Sequence, residues 1–122
     1  MVLLQLDNYL ATHRKHSGLS QQDIAWMIRA GDGTEISRYE TNLRLPTLPV
    51  ALSLEVLFGV PVGVLFAGRR QRLARQIERR IAIHHRRVLA QPRMVKGRRA
   101  PKREAKLRWH AARRANRPPA AA

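Results

Sequence analysis

The sequence predicts an all-α protein, and three observations lead to that prediction. Apolar residues recur at steps of three and four, residues that cap helix N-termini precede these runs, and glycine or proline stands where the runs stop. Residues 1–67 contain five such segments, residues 68–90 a sixth that is basic and amphipathic, and residues 91–122 form a basic tail. With 122 residues, 44% of them apolar, the chain is expected to form one small folded domain.

The first two predicted helices are short. The first spans Leu3–His16, and Gly18 is suited to its C-terminal end. Its apolar residues recur at helical spacing at Leu3, Leu6 and Leu10. Ser20 is a suitable N-cap for the second helix, and Asp23 completes a pair that resembles a capping box. The second helix is therefore expected over Ser20–Ile28.

The third predicted helix, Gly33–Glu40, begins in the same way. Asp32 is its expected N-cap, and Glu35 stands at the third helical position, where a carboxylate suits free backbone amides and the helix dipole. Ile36 and Tyr39, three residues apart, are expected to point inward. Two short helices joined by a few residues suggest a helix-turn-helix.

Three further helices are expected. Thr47–Phe58 is apolar and carries Pro49 in its first turn, where a missing N–H is tolerated. A short helix follows over Pro61–Phe66, and residues 69–90 read as one amphipathic helix. Its narrow apolar stripe consists of Leu73, Ile77, Ile81, His84 and Val88. The stripe is expected to lie on the preceding domain or a second copy, on an anionic membrane or in a partner groove, or to become ordered on nucleic acid.

Charge is divided unevenly along the chain. Residues 1–67 hold five bases and six acids, for a net charge of −1, whereas residues 68–122 hold 19 bases and two acids, for +17. Such a field attracts nucleic acids first, and acidic membranes or proteins second. The absence of cysteine excludes disulfides and thiolate metal sites and suits a cytoplasmic location. Prolines, glycines and an acid interrupt the longest apolar stretch, Leu45–Ala67, so no membrane span is expected there.

Two stretches carry a more specific pattern, GLSQQDIAWMI and TEISRYETNLRLPTLPVALSLEVLFGVPVGVLF. In register, they contain Leu19-Ser20-Gln21, Ile24-Ala25, Ile36-Ser37, Tyr39-Glu40 and Phe58-Gly59-Val60. On these residues, positions 3–67 resemble the Xre-type helix-turn-helix family, relatives of the lambdoid phage repressors. The resemblance implies a five-helix, lambda repressor-like domain whose third helix enters the major groove of double-stranded DNA.

The chain departs from the family pattern in the turn between the second and third helices. Ala25 and Ile36 are 11 positions apart, one more than in most members. The extra residue falls in the run RAGDG, where Gly31 and Gly33 flank Asp32 and tolerate backbone angles that other residues avoid. A wider turn is therefore expected.

The inward-facing residues of the third helix leave Thr34 and Arg38 on its opposite face, where both are expected to read base edges. Arg38 suits a guanine, and Thr34 suits a thymine methyl group or a hydrogen-bond acceptor. Gly33 offers only its backbone where relatives often carry a long polar side chain, so DNA shape is expected to contribute more. The predicted DNA-binding residues are Gln21, Gln22, Gly33, Thr34, Glu35, Ser37, Arg38, Asn42 and Arg44.

Some side chains in or beside this set have more specific expected roles. The resemblance implies that Gln21 and Arg44 contact phosphates, which fixes the register on DNA. Two roles stay open for Glu35, which either satisfies the amides at the start of the helix or accepts from a cytosine amino group. The resemblance also implies an ion pair between Arg14 and Glu40 that serves the architecture.

Residues 91–122 combine few apolar residues, repeated prolines and dense positive charge, which predicts disorder in the free protein. Such a tail neutralises several phosphates at once, so binding that depends on it should fall steeply with salt. Trp109, among arginines, is suited to stack on an unpaired base, although a tail that only steers by charge fits the pattern as well.

No enzyme, metal site or cofactor is predicted. The histidine pairs His13 with His16 and His84 with His85 lack cysteine or carboxylates at ligand spacing, and neither a nucleophile elbow nor a phosphate-binding glycine loop is present. The sequence favours a sequence-specific DNA-binding regulator, repressor-like, with double-stranded DNA as partner and a homodimer as an attractive assembly. A nucleic-acid-packaging or RNA-binding protein and an antitoxin-like interaction adaptor stay open as alternatives. No small-molecule effector site and no membrane partner are predicted.

Overall fold

A computed structural model describes residues 6–116, and this part of the chain is mostly helical, as the sequence predicts. It contains seven helices and one antiparallel hairpin. In chain order these are α1 (Leu10–Ser17), α2 (Gln21–Ile28), α3 (Gly33–Glu40), α4 (Leu48–Phe58), α5 (Val62–Leu65), α6 (Ala67–Ala90), β1 (Met94–Val95), β2 (Arg98–Arg99) and α7 (Arg103–Ala115). The chain divides into two compact units, Met1–Ala74 (unit 1) and Arg75–Ala122 (unit 2).

Local signals in the sequence determine where α2 and α3 begin. The Ser20 hydroxyl accepts the N–H of Asp23 at 3.0 Å, and the Asp23 carboxylate accepts the N–H of Ser20 at 2.9 Å, so the predicted capping box is present. Asp32 caps α3 by accepting the N–H of Thr34 at 2.9 Å. Side-chain caps of this kind contribute about 1 kcal/mol each.

The core of unit 1 is formed by all five of its short helices. α2 packs on α3 and α4, and α4 also packs on α5. Each fully buried aliphatic side chain in this core contributes roughly 1.5–3 kcal/mol by leaving water. The buried cluster consists of Leu10, Ile24, Ala25, Ala30, Ile36, Tyr39, Leu54, Leu65 and Phe66.

The first helix is shorter than the leucine spacing predicted, because it begins at Leu10. Leu3 lies outside the described residues, and Leu6 is exposed and not helical. Asn8 gives the physical reason: its Oδ1 accepts the N–H of Leu10 at 3.2 Å, and its Nδ2 donates to the carbonyl of Tyr39 at 3.1 Å. These bonds hold residues 8 and 9 in a non-helical path against α3.

The turn between α2 and α3 uses its two glycines for different purposes. Gly31 has a φ of +72°, in the left-handed region where glycine was expected, and Arg29, the C-cap of α2, is also left-handed with a φ of 55°. Gly33 lies instead in the first turn of α3, where an added Cβ would stand 3.3 Å from the backbone nitrogen of Gln22. The expectation of unusual dihedrals at Gly33 is thus corrected, since this glycine allows close approach of the two helices.

The later helices of unit 1 follow the sequence closely. Pro49 lies in the first turn of α4, as predicted, and α6 begins at Ala67, two residues before the predicted start. Gly68 allows the start of α6 to lie against the segment before α1, because an added Cβ would clash with the carbonyl oxygen of Leu6. Within residues 6–116, no helix is both long enough and apolar enough to cross a bilayer.

Unit 2 corrects the prediction of a disordered tail over residues 91–116. These residues form the β1–β2 hairpin and α7, while residues 117–122 lie outside the described residues. Glu78 near the start of the unit pairs with Arg113 near the end of α7, and Arg103 at the start of α7 donates to the carbonyl of Gln91 at 3.2 Å. Helices α6 and α7 therefore run antiparallel.

The physical reason for this correction lies in a few long-range partners. Arg113 pairs with the carboxylate of Glu78, which neutralises one of the positive charges, and Arg103 donates to backbone carbonyls at and just after the end of α6. Val88 and His110 are buried, which gives α7 an apolar and aromatic contact in addition to its charges. Composition alone contained no sign of these pairings.

Candidate nucleic-acid interface

Helix α3 presents two faces of opposite character. Ile36 is fully buried and Tyr39 retains only 6% exposure, as predicted. Thr34 and Arg38 lie on the exposed face, and the Arg38 side chain is 49% exposed. The capped start of α3 and the burial of its apolar face therefore fix the orientation of these two polar side chains.

Glu35 bridges two arginines on this exposed surface. Its carboxylate lies 2.8 Å from Nη1 of Arg38 and 3.1 Å from Nη1 of Arg44. The carboxylate of Glu35 therefore contacts guanidinium groups and not the free amides at the start of α3, which was one of its two predicted roles. Exposed ion pairs contribute only about 0–1 kcal/mol, so the trio is oriented and still free to exchange partners.

Gln22 connects the start of α2 with the start of α3. Its side-chain oxygen accepts the N–H of Gly33 at 3.0 Å. That bond satisfies one of the free amides in the first turn of α3. The Gln22 side chain is exposed and lies at the first turn of α3, so its amide NH₂ is accessible there.

Gln21 belongs to an internal network and not to this exposed group. Its Nε2 donates to Glu40 Oε1 at 2.9 Å, and Arg14 donates to the same carboxylate through Nε at 2.7 Å and Nη2 at 3.2 Å. The predicted pair between Arg14 and Glu40 is therefore confirmed. The hydrogen bond to Glu40 raises the pKa of Arg14 above its ordinary value. The network ties α1, α2 and α3 together.

Two other predicted DNA-binding residues are placed away from the exposed face. Ser37 is half-buried, and its carbonyl accepts the hydroxyl of Thr41 at 2.9 Å. Asn42 has a φ of 63° and directs its amide towards the segment before α1, where its Oδ1 accepts from Asn8 Nδ2 at 2.7 Å and its Nδ2 donates to Asp7 at 3.4 Å. The Asn42 side chain is therefore engaged in holding unit 1 together, and Ser37 takes part through its backbone carbonyl.

Unit 2 contains a cleft that sequence reasoning missed. The cleft between α6 and α7, here called the α6–α7 cleft, has a volume of about 520 Å³. Its apolar wall includes Ile77, Ile81 and Trp109, and its cationic rim includes Arg80, Arg87 and Lys106. The helical spacing of the two isoleucines was visible in the sequence, but the fold of α7 back onto α6 was not.

Three histidines meet beside this cleft. His84 Nδ1 lies 2.8 Å from His110 Nε2, and the His85 ring stacks on the His110 ring with centroids 4.6 Å apart. Burial, followed by the neighbouring charges of His85 and His84 and then of two arginines of α7, lowers the pKa of His110 below its ordinary value. A neutral His110 is therefore favoured near pH 7.

No group of three or more His, Asp or Glu side chains within residues 6–116 is arranged to hold a metal ion. No family model, no curated protein and no solved structure matches this chain.

Proposed function

We propose that α2 and α3 act as a helix-turn-helix and that the protein is a sequence-specific DNA-binding regulator, repressor-like, with α3 in the major groove of double-stranded DNA. The observation that carries the proposal is the division of α3 into a buried face and an exposed face. Thr34 and Arg38 are exposed on a helix whose other side is fixed in the core. A helix that is fixed in the core on one side and exposes polar side chains on the other is the element that such domains insert into the groove.

The charges around α3 support base reading over simple charge attraction. Glu35 engages Nη1 of Arg38, and within the described residues no acceptor engages Nε or Nη2. Those donors suit the O6 and N7 acceptors of guanine, a contact that contributes roughly 1–3 kcal/mol of discrimination. Arg44 and the exposed amide of Gln22 flank this group and suit phosphates.

A second copy of the chain fits the exposed face of α4. Leu48, Leu52 and Val56 follow one another at steps of four, and all three are exposed. Residues 1–67 carry a net charge of only −1, so two copies of this region do not repel each other strongly. A homodimer formed there would present two copies of α3 to two half-sites.

Selection of bound sequences from a random duplex DNA pool tests the proposal. The full-length protein is expected to enrich a defined sequence, and Arg38→Ala is expected to lose that enrichment while far-UV circular dichroism stays unchanged. Arg86→Ala is the matched control, because it removes one exposed arginine from unit 2. Arg86→Ala should keep the enriched sequence, with binding weakened slightly for all sequences. Equal enrichment by Arg38→Ala and the unaltered protein would contradict the assignment of Arg38 as a base reader.

The charge of unit 2 favours a second candidate function, nucleic-acid packaging or RNA binding. Residues 75–116 hold 15 Lys and Arg but only two acids. Contacts of this kind depend strongly on salt and carry no sequence information. This candidate predicts that the unaltered protein enriches no sequence from the random pool and binds all sequences with the same steep dependence on salt.

A further inference from the structure

The α6–α7 cleft combines an aromatic surface with a cationic rim. We propose that it binds a base of single-stranded nucleic acid, stacked on Trp109, with the neighbouring phosphates on Arg80, Arg87 and Lys106. The cleft volume of about 520 Å³ falls within the roughly 300–1,000 Å³ of small-molecule sites. Stacking on an aromatic side chain inside a positively charged groove is the general mode by which unpaired bases are bound.

Trp109 is half exposed and makes a ring contact with a buried neighbour. It keeps 51% exposure, and its ring makes an edge contact with the His110 ring at a centroid distance of 4.8 Å and an interplanar angle of 79°. His110 itself is buried and held by His84 and His85 of α6. The exposed part of the Trp109 ring lines the cleft and offers an aromatic surface to a stacked base.

The charge of unit 2 indicates which class of ligand fits the α6–α7 cleft. With 15 bases and two acids in residues 75–116, a second copy of this unit would bring two strongly positive surfaces together. A neutral apolar ligand would make no use of the three cations on the rim. A base pair within a duplex presents its edges in the grooves while its faces stay stacked, so it cannot lie on Trp109. An unpaired nucleotide satisfies both the aromatic wall and the cations.

The proposed cleft lies outside the exposed face of α3, so it adds a second nucleic-acid site to the proposed function. The two proposals therefore fail separately. Trp109→Ala is expected to keep the duplex sequence enriched by the full-length protein. Arg38→Ala is expected to keep its affinity for single strands.

Fluorescence anisotropy of the full-length protein with labelled strands of equal length tests the proposal. Oligothymidine and oligouridine are compared with an abasic strand, which carries the same phosphates without bases. We expect at least one of the two base-containing strands to bind about tenfold more tightly than the abasic strand, as for other base-stacking aromatics. The strand that binds with the higher affinity shows whether DNA or RNA is the preferred source of the unpaired base.

Two pairs of variants locate the site. Trp109→Ala is expected to abolish the advantage over the abasic strand, whereas Trp26→Ala, at the other tryptophan, which is 81% exposed on α2, should keep it. Trp109→Phe, which keeps an aromatic ring, should restore part of the advantage. Arg87→Ala is expected to weaken binding of every strand, the abasic one included, by more than Arg86→Ala, because only Arg87 lines the cleft.

Three results would overturn the proposal. The first is equal affinity of the unaltered protein for the abasic and both base-containing strands. The second is a Trp109→Ala variant that keeps the base-dependent advantage. The third is a Trp109 fluorescence signal that changes with protein concentration in the absence of nucleic acid, measured in a background of Trp26→Phe and Leu52→Lys, which removes the dimer proposed at α4, since this would show a second copy in the cleft.

Discussion

Replacement of Glu40 by glutamine tests how strongly the internal network of unit 1 stabilises the fold. The carboxylate accepts from Arg14 Nε at 2.7 Å, Arg14 Nη2 at 3.2 Å and Gln21 Nε2 at 2.9 Å. Glutamine has one carbonyl oxygen and one NH₂ group, so a donor must face a donor at one of the two positions. The guanidinium of Arg14 also loses its counter-charge.

The size of the loss follows from the burial of this pair. The side chains of Arg14 and Glu40 keep only 15% and 6% exposure, so water replaces little of the lost interaction. Breaking a buried pair costs about 3–5 kcal/mol, and losing a charged hydrogen bond costs about 1.5–3 kcal/mol. In the variant, Arg14 still donates to the carbonyl of Leu19 at 3.3 Å. We therefore expect the free energy of unfolding to fall by about 2–3 kcal/mol, as for the loss of a charged hydrogen bond. For a domain of this size, that lowers Tm by about 8–24 °C.

Thermal and urea unfolding, followed by far-UV circular dichroism, measures this loss. Glu35→Gln is the matched control, because it is the same substitution at a carboxylate whose partners, Arg38 and Arg44, are 49% and 59% exposed. We expect the control to lose no more than about 1 kcal/mol. Equal losses in the two variants would refute the reasoning from burial. Unchanged melting together with an altered DNA sequence preference would assign Glu40 to recognition.

Three further predictions address the turn, unit 2 and the exposed face of α4. Gly31→Ala places a Cβ 3.1 Å from Glu35 Cγ at a φ of +72°, so urea unfolding should show a loss of about 1–2 kcal/mol; no loss would mean that the turn relaxes freely. Because the pKa of His110 is below its ordinary value of 6.5, protonation favours the unfolded state, so the contribution of neutral His110 to the stability of unit 2 is present above pH 6.5 and decreases as pH falls below it. Trp109 fluorescence in a Trp26→Phe background should therefore give a lower urea midpoint at about pH 5 than at about pH 8, and equal midpoints would contradict this. Leu52→Lys should abolish any dimer seen by sedimentation equilibrium and keep the helical content, whereas a dimer that persists would place the second copy elsewhere.

The parts of the fold that the sequence predicted depend on contacts between near neighbours. The capping box of Ser20 and Asp23, the N-cap Asp32 and the left-handed Gly31 all act within a few residues, so their spacing in the sequence is sufficient to identify them. The burial of Ile36 follows equally from helical periodicity. Local geometry determined these features, and the tertiary structure kept them.

The parts that could not be predicted depend on partners far away in the sequence. The expected first helix is shortened at its N-terminal side because Asn8 donates to the carbonyl of Tyr39, 31 residues later. Nothing near Asn8 in the sequence indicates that partner. His84 meets His110 across 26 residues, and that contact helps to order a segment whose composition indicates disorder. Glu35 accepts from Arg44, nine residues later in the sequence, and the capping pattern at the start of α3 does not indicate that partner.

Under the proposed function, units 1 and 2 bind nucleic acid in different ways, and Glu35 of unit 1 accounts for the difference. A phosphate that approaches Arg38 or Arg44 must compete with a carboxylate that is already bound, so unspecific attraction to this surface is weak. A guanine edge carries no net charge and offers two acceptors to the Arg38 donors that Glu35 leaves open. Attraction that is independent of sequence then arises mainly from unit 2, whose 15 cations in residues 75–116 face two acids. Discrimination and overall affinity therefore reside in different parts of the chain, because an acid next to the reading face keeps that face nearly neutral.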